Sequence, residues 1–344
     1  DINSLFIILS PQQYSIGGFG VPAGHAFNLL CCLAFLFSCY ALGRLCLRLG
    51  GFSFLNALEE AFFAAAAGLG LFAMFVVGLG ASGLLYAWAV AAPLLVLFAF
   101  GVYDLARRPP APGQFWPAGL AWTDSAALAL LLFAVLFNLA GALGPEIFYD
   151  SLVYHLAVPG FYAIKHKIAE MPYNIYSAMP LTHSMLYTAA LLVKDAILAK
   201  LINYSALVLS AAAVMAAGAR FFSWRAGLWG ALIFYTVFHT MATSWTAGTE
   251  ALLTCFSVAA LYALLNHKDE EKRWLWLAAC FAGLAMGVKY TGIFPAVGVM
   301  LAYAYKARKT PFALVKDLAR FTLIASLFVA PWLIKNYLYK GNPV

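Results

Sequence analysis

The stretch AALALLLFAVLFNLAGAL, which runs from Ala126 to Leu143, contains no charged side chain. Its length approaches the roughly 20 apolar residues that an α-helix needs to cross a bilayer. Lipid offers the backbone no hydrogen bonds, so such a segment must satisfy its own peptide groups by forming a helix. A strand of a transmembrane barrel would alternate apolar and polar residues, and this stretch does not. The stretch therefore predicts a membrane-spanning helix.

Similar apolar stretches recur along the chain and predict an all-α, polytopic transmembrane protein. Of the 344 residues, 64% are hydrophobic and 10% are charged, whereas about 25% are charged in an average soluble domain. This composition excludes a soluble enzyme. We predict about ten spans, at residues 24–43, 57–79, 82–103, 124–143, 197–219, 226–243, 249–266, 274–288, 290–305 and 318–334.

The basic residues predict the orientation of these spans. The chain carries 21 Lys and Arg against 14 Asp and Glu, and because cytoplasmic loops are enriched in Lys and Arg, this excess does not imply nucleic acid. Fourteen of the 21 basic residues fall on one side if segment 180–193 forms a short interfacial or re-entrant helix and does not cross. We predict that this side is cytoplasmic, which leaves residues 144–198 as a large external loop.

Asp150 and His155 are the first candidate functional residues, because they lie just after a span at the start of this loop. A helix that begins near Asp150 would direct both side chains toward similar faces. A partly desolvated carboxylate there suits a general base, or a group that holds a metal or a substrate hydroxyl. The alternative is that Asp150 simply caps the following helix.

Glu250 and Lys289 form the second candidate pair. Glu250 lies at the predicted external start of one span, and Lys289 lies in an external turn between two others. An acid and a base near a membrane surface are usually functional or paired with each other. The alternatives are a carboxylate stabilised by the dipole of its helix for Glu250, and a snorkelling side chain at a span end for Lys289.

Lys335 and Asn336 end the last span on the external side, where a lysine could hold a lipid-linked phosphate. Alternatively, they belong to an interfacial anchor in which Trp332 and two tyrosines form an aromatic belt. His183 lies on the helix predicted within segment 180–193 and is a candidate for the same pocket, although a lone polar residue of this kind is more often a packing group.

Four segments, in this order, resemble a known family. They are FYDSLVYHLAVP from Phe148, NIYSAMP from Asn174, GVKYTG from Gly287 and PWLIKNYLYKGNPV from Pro331. Together they resemble polyprenyl-phosphate-carrier-dependent membrane glycosyltransferases of the GT-C fold, which are related to protein O-mannosyltransferases and to the lipid A aminoarabinose transferase. The three leading spans are also similar to the N-terminal part of such proteins.

The resemblance implies a multi-pass enzyme of the bacterial inner membrane with its active face on the external, periplasmic side. Its partners would be a polyprenyl-phosphate sugar donor and membrane lipids, with other membrane subunits as a further expectation. The family's loop acid maps onto Asp150, and Glu250 stands where the family often has an aspartate. Together with His155, these two residues are the predicted catalytic residues. Substrate and lipid phosphate would be bound by Tyr176, His183, Lys289, Tyr290, Lys335 and Asn336.

The resemblance also implies a division of the chain into N-terminal helices with a cytoplasmic linker, residues 1–123, and a GT-C-like catalytic module, residues 124–344. Members of the family continue with further spans, so we expect more chain beyond Val344. A divalent cation is compatible with such chemistry, but the sequence has no dense carboxylate cluster that demands one. The metal therefore stays unknown.

Two non-enzymatic functions remain open at this point. A lipid or solute transporter would place ionisable residues at mid-membrane in broken helices, whereas the candidates here lie at span ends on one side. An accessory subunit of a larger membrane complex would need neither a cavity nor a carboxylate beside it.

Overall fold

The computed structural model describes residues 20–110, 119–268 and 271–344, and the middle of the predicted cytoplasmic linker, 111–118, lies outside these ranges. The described residues form helices and no named β-strand, which confirms the all-α prediction. The helices are α1 Gly20–Leu49, α2 Ala57–Ala81, α3 Ala87–Arg107, α4 Trp122–Leu143, α5 Ala157–Lys165, α6 Thr182–Val193, α7 Ala196–Phe221, α8 Trp224–Thr236, α9 Phe238–Ser244, α10 Glu250–Asn266, α11 Arg273–Val288, α12 Ile293–Lys306 and α13 Pro311–Lys340.

Five of the described helices, α1, α2, α3, α4 and α7, are long and apolar enough to cross a membrane. The predicted spans 249–266 and 274–288 are also apolar helices, of 17 and 16 residues. The predicted span 318–334 lies inside the 30-residue helix α13. The chain is thus a helical membrane protein, and the total of about ten crossings stays a prediction.

The predicted span 226–243 is interrupted, so the expectation of one continuous helix there is wrong. The chain leaves the helical conformation at Val237, between α8 and α9. Thr236 and Val237 are β-branched and disfavour a helix. The Thr236 hydroxyl also donates to the Leu232 carbonyl at 2.7 Å, and a hydrogen bond of this kind commonly bends helices.

Small residues let α1 and α2 pack with their backbones in direct contact. A Cβ atom on Gly68 would lie 1.7 Å from the Cys39 carbonyl oxygen, and one on Gly43 would lie 1.9 Å from that of Ala64. Helices that associate in lipid rely on such close approach. Lipid tails are as apolar as the helix side chains, so no hydrophobic force drives the helices together and close packing must do so. Substitution at either glycine would force the two helices apart.

Ion pairs join the helix ends that carry most of the basic residues. Arg44 pairs with Glu60 and Asp104, and Arg220 pairs with Glu59 at 2.6 Å. Lys272 pairs with Asp317 at 2.6 Å. These contacts bring several predicted cytoplasmic segments to one end of the bundle. Which side of the membrane this end faces stays a prediction.

The predicted external loop lies at the opposite end and contains α5 and α6. The amide of Ile168 donates to the Gly80 carbonyl at 2.9 Å, and that of Leu85 donates to the His166 carbonyl at 3.0 Å. Helix α6 has 12 residues, of which nine are buried. At 1.5 Å per residue it is far too short to cross the roughly 30 Å hydrocarbon core. It packs against α2, α3 and α7, so neighbouring helices enclose it.

Candidate functional site

Asp150 immediately precedes a π-helical turn, Ser151–His155, which leads into α5. π-Turns are rare and occur frequently at functional sites. The Asp150 side chain makes no capping hydrogen bond, and its backbone is helical (φ −60°, ψ −38°), whereas an N-cap residue is usually extended. The capping interpretation therefore does not account for Asp150. Its carboxylate lies near Tyr154 instead, close enough for its charge to raise the pKa of the phenol.

Tyr154 and Tyr176 form an aromatic wall beside Asp150. Their rings stack with centroids 4.1 Å apart and planes 19° apart. Tyr176 lies in a short 3-10 helix, Ile175–Ala178, which Asn174 ties to the π-turn by donating to the Val153 carbonyl at 3.0 Å. Burial, followed by the charges of Asp150 and Glu250, raises the pKa of Tyr154 well above its usual range. Tyr154 is therefore a neutral hydrogen-bonding group.

His155 and His183 form a buried imidazole pair behind this wall. Nδ1 of His155 lies 3.2 Å from Nε2 of His183, which is also 3.0 Å from the Ser184 hydroxyl. Burial lowers the pKa of His155 to about 4, while the charges of Glu250 and Asp150 oppose this shift. Burial also lowers the pKa of His183 well below its usual value, and the His155 charge adds to this effect. Both imidazoles are neutral near pH 7.

Glu250 and Lys289 are paired, as one alternative from the sequence predicted. Lys289 Nζ lies 3.0 Å from Glu250 Oε1, and both side chains are about one-third exposed, at 39% and 32%. The other Glu250 oxygen accepts from the Thr249 amide at 3.0 Å, at the start of α10. Lys289 is therefore held by a carboxylate and is not simply snorkelling. Two of its three N–H donors remain for a ligand.

One imidazole connects these groups. His155 interacts electrostatically with Glu250, Asp150 and Lys289. Asp150, Glu250 and Lys289 therefore lie in one region of the structure, within electrostatic range of the His155 imidazole. We define this group, Asp150, Tyr154, His155, Glu250 and Lys289, as the acidic cluster.

Lys335, Asn336 and Tyr290 form a separate group beneath the 3-10 helix that carries Tyr176. Lys335 is 8% exposed, and its Nζ donates to the carbonyls of Ser177 and Met179. Asn336 donates to the Ala178 carbonyl at 2.5 Å and to the Tyr290 hydroxyl at 3.1 Å. These contacts hold the turn that presents Tyr176 to Tyr154.

The alternative of an aromatic belt applies to only part of the segment after Pro331. Trp332 is fully buried, and its indole N–H donates to the Thr182 hydroxyl at 2.9 Å. It therefore joins α13 to α6 and does not lie at a lipid interface. Tyr337 and Tyr339 are exposed and remain compatible with a belt.

An apolar groove runs beside this second group. It has a volume of about 280 Å³ and lies between α2, Ile168 and α13. Its walls are made by Val77, Ala81, Pro331, Ile334 and Leu338, and Lys335 lies at its polar end. A neighbouring polar recess includes Glu170 and Lys340, which pair at 2.8 Å. Among the described residues, no group of three or more His, Cys, Asp or Glu side chains converges to hold a metal ion.

Sequence reasoning missed three polar residues around the site. Glu146, Lys200 and Asn203 bind the loops that precede Asp150 and Glu250. Lys200 had a usable signal, because a lysine inside an apolar span is a functional candidate by default. Glu146 and Asn203 carried no comparable signal, since the contacts that join them to the second loop are to backbone groups distant in sequence.

Residues 179–334 match the family described as dolichyl-phosphate-mannose-protein mannosyltransferase. The match covers slightly less than half of the chain and includes His183, Glu250 and Lys289, while Asp150 precedes it. It confirms the predicted resemblance to glycosyltransferases of the GT-C fold, and it supports glycosyl transfer from a lipid-linked donor. No curated protein and no solved structure gives a match to the chain.

Proposed function

We propose that the protein transfers a sugar from a polyprenyl-phosphate donor to an acceptor at the end of the bundle that carries residues 144–198, the predicted periplasmic face. The observation that carries this proposal is the acidic cluster. Asp150 makes no capping hydrogen bond, and Glu250 and Lys289 form an ion pair. The charges of Asp150, Glu250 and Lys289 all act on the buried imidazole of His155, which supports a shared site.

In the proposed reaction, an acceptor hydroxyl or amine attacks the anomeric carbon of the sugar. The bond between that carbon and the phosphate oxygen breaks, and the polyprenyl phosphate leaves with the electron pair. Asp150 accepts the proton of the acceptor, a role that typically contributes about 10² to 10⁴ in rate. Tyr154 lies close enough for the Asp150 charge to raise its pKa, and we assign it to orienting the carboxylate.

Lys289 is the better placed of the two predicted phosphate ligands. Its ammonium is partly exposed and makes one ion pair, with Glu250. Lys335 is buried and already donates to two carbonyls. We assign Lys289 to the charge that develops on the leaving phosphate, where a preorganised cation lowers the barrier. Lys335 and Asn336 then support the substrate pocket by holding the turn that carries Tyr176.

The apolar groove suits the isoprenyl chain of the donor. Its walls are mostly aliphatic, it lies against α2 and α13, and its polar end lies under the turn that bears Tyr176. A donor in this groove would have its chain in contact with apolar side chains and its phosphate near the external end. The burial of apolar surface would contribute roughly 25 cal/mol per Å² to donor binding.

The test is sugar transfer by purified protein in nanodiscs with a panel of polyprenyl-phosphate sugars. Asp150→Asn should lower turnover by about 10² or more, because the amide cannot accept the proton. Thermal stability should change little, since the side chain caps no helix. Asp195→Asn is the matched control: Asp195 caps α7 by accepting from the Leu198 amide at 3.0 Å, and Asn caps about as well as Asp.

Two results would contradict the proposal. Turnover near the wild-type value in Asp150→Asn would remove this residue from the mechanism. If the wild-type protein transfers sugar from none of the donors in the panel, the accessory-subunit function is favoured.

A further inference from the structure

One face of α7 holds both loops that lead to the acidic cluster. Lys200 and Asn203 lie three residues apart on this helix, so their side chains project from the same face. Lys200 is buried, and its Nζ donates to the carbonyls of Gly141, Gly144 and Pro145 at 3.2, 2.8 and 3.2 Å. These carbonyls belong to the end of α4 and to the loop that leads to Asp150.

Asn203 holds the second loop in the same way. Its Nδ2 donates to the carbonyls of Thr243 and Thr246 at 3.0 and 2.7 Å, just before Glu250. Its Oδ1 lies 3.0 Å from the Tyr187 hydroxyl, which is also 2.5 Å from the Gly248 carbonyl oxygen. Asn203 is fully buried, so each of these polar contacts forms away from water.

Glu146 connects the two loops directly. One carboxylate oxygen accepts from the Ala247 amide at 2.7 Å, across the gap between the loops. The other oxygen accepts from the amides of Ile147 and Phe148, both at 2.9 Å. Both oxygens are thus engaged by backbone N–H groups. Hydrogen bonds to an ionised carboxylate are stronger than neutral ones.

We propose that Glu146, Lys200 and Asn203 form a clamp that sets the separation between Asp150 and Glu250, with Glu146 as the positioning residue that joins the two loops. The inference rests on the proposed function, because it concerns the geometry of that reaction. Rates of oriented reactions depend steeply on distance, and a displacement of about 1 Å can cost about 10²-fold. A tie between the two loops would therefore act on turnover without contacting substrate.

Hydrogen exchange tests the clamp without reference to activity. Glu146→Gln replaces one acceptor oxygen by an NH₂ donor, so it cannot accept from all three amides. We expect exchange of the amides at 147, 148 and 247 to become about tenfold faster or more. Glu271→Gln is the matched control, because Glu271 pairs with Arg273 at 3.0 Å at the other end of the bundle. The control should leave exchange at these amides unchanged.

Steady-state kinetics test the positioning role. Glu146→Gln should lower kcat about tenfold and leave the donor KM within about twofold, because the residue acts on the arrangement of the reacting groups. The effect should shrink in a Glu250→Gln background, since the two substitutions disturb the same geometry. An independent loss of kcat, equal in both backgrounds, would overturn the role.

A second variant keeps the proposal testable if Glu146→Gln folds poorly. A Cβ on Gly141 would lie 2.1 Å from the Trp245 ring. Gly141→Ala therefore pushes against Trp245 and displaces the second loop without changing Glu146. Gly141→Ala should also lower kcat by a larger factor than the factor by which it raises the donor KM. Unchanged exchange in Glu146→Gln overturns the clamp, and raised exchange with unchanged kcat overturns the positioning role. An inactive wild-type protein refutes the proposed function and the positioning role together, while the exchange data still decide whether the clamp exists.

Discussion

His155 should make the folded protein sensitive to mild acid. Burial holds its pKa at about 4 against an ordinary value of 6.5. A histidine with a lowered pKa binds fewer protons in the folded state than in the unfolded state. The resulting loss of folding stability is absent above pH 6.5 and grows as the pH falls toward 4. Between pH 7.5 and pH 5, these two pKa values correspond to a loss of about 2 kcal/mol in the free energy of unfolding.

The perturbation that isolates this effect is His155→Gln, which keeps a polar side chain beside His183 but cannot be protonated. Between pH 7.5 and pH 5, the free energy of unfolding should fall by about 2 kcal/mol less in the variant than in the wild-type protein. Unfolding of the detergent-solubilised protein at pH 7.5, 6 and 5 measures the difference. His239→Gln is the control, because His239 is exposed. An equal loss of stability in the wild type and in His155→Gln would refute the reasoning.

Three further predictions concern the donor and the orientation. Lys289→Met should lower kcat/KM for the donor by about tenfold or more, because the leaving phosphate loses a charged hydrogen-bond partner; an unchanged kcat/KM in a donor titration would exclude this role. Ala81→Trp should obstruct the apolar groove and raise KM more for a long-chain donor than for a short-chain analogue, and equal effects on both would contradict the groove assignment. In a cysteine-free background, a cysteine at Lys167 should react with an external impermeant thiol reagent and one at Arg107 should not; the opposite pattern would reverse the orientation.

The helices and the main candidates could be predicted because they depend on local pattern. Apolar runs without charge decide where helices form in lipid, and each of the ten predicted segments contains a helix, with a break at Val237 and a later start, at Ala87, in the third segment. Asp150, Glu250 and Lys289 were found because charged residues at span ends are rare enough to be conspicuous. Their ion pair was one of the stated alternatives, and the structure places Lys289 and Glu250 3.0 Å apart.

The geometry around these residues could not be predicted because it depends on contacts between distant segments. The sequence after Asp150 indicates a helix start, but not the π-turn in which its carboxylate makes no capping hydrogen bond. Trp332 looked like an interfacial residue, but Thr182, far away in the sequence, provides its buried partner. The partners of Glu146 and Lys200 are mostly backbone groups, which leave no trace in residue types.

The break at Val237 connects the fold to the site and bears on the transporter alternative. Broken helices in transporters expose their free backbone groups to a substrate near mid-membrane. Here, α8 runs for 13 residues before the break, about 20 Å at 1.5 Å per residue. The chain then continues through α9 to the loop whose carbonyls bind Asn203 and whose Ala247 amide binds Glu146. The break thus directs the chain toward Glu146 and starts α10 at Glu250. The backbone groups of the loop after α9 bind Asn203 and Glu146, within the protein, and this use of them favours the enzyme over the transporter.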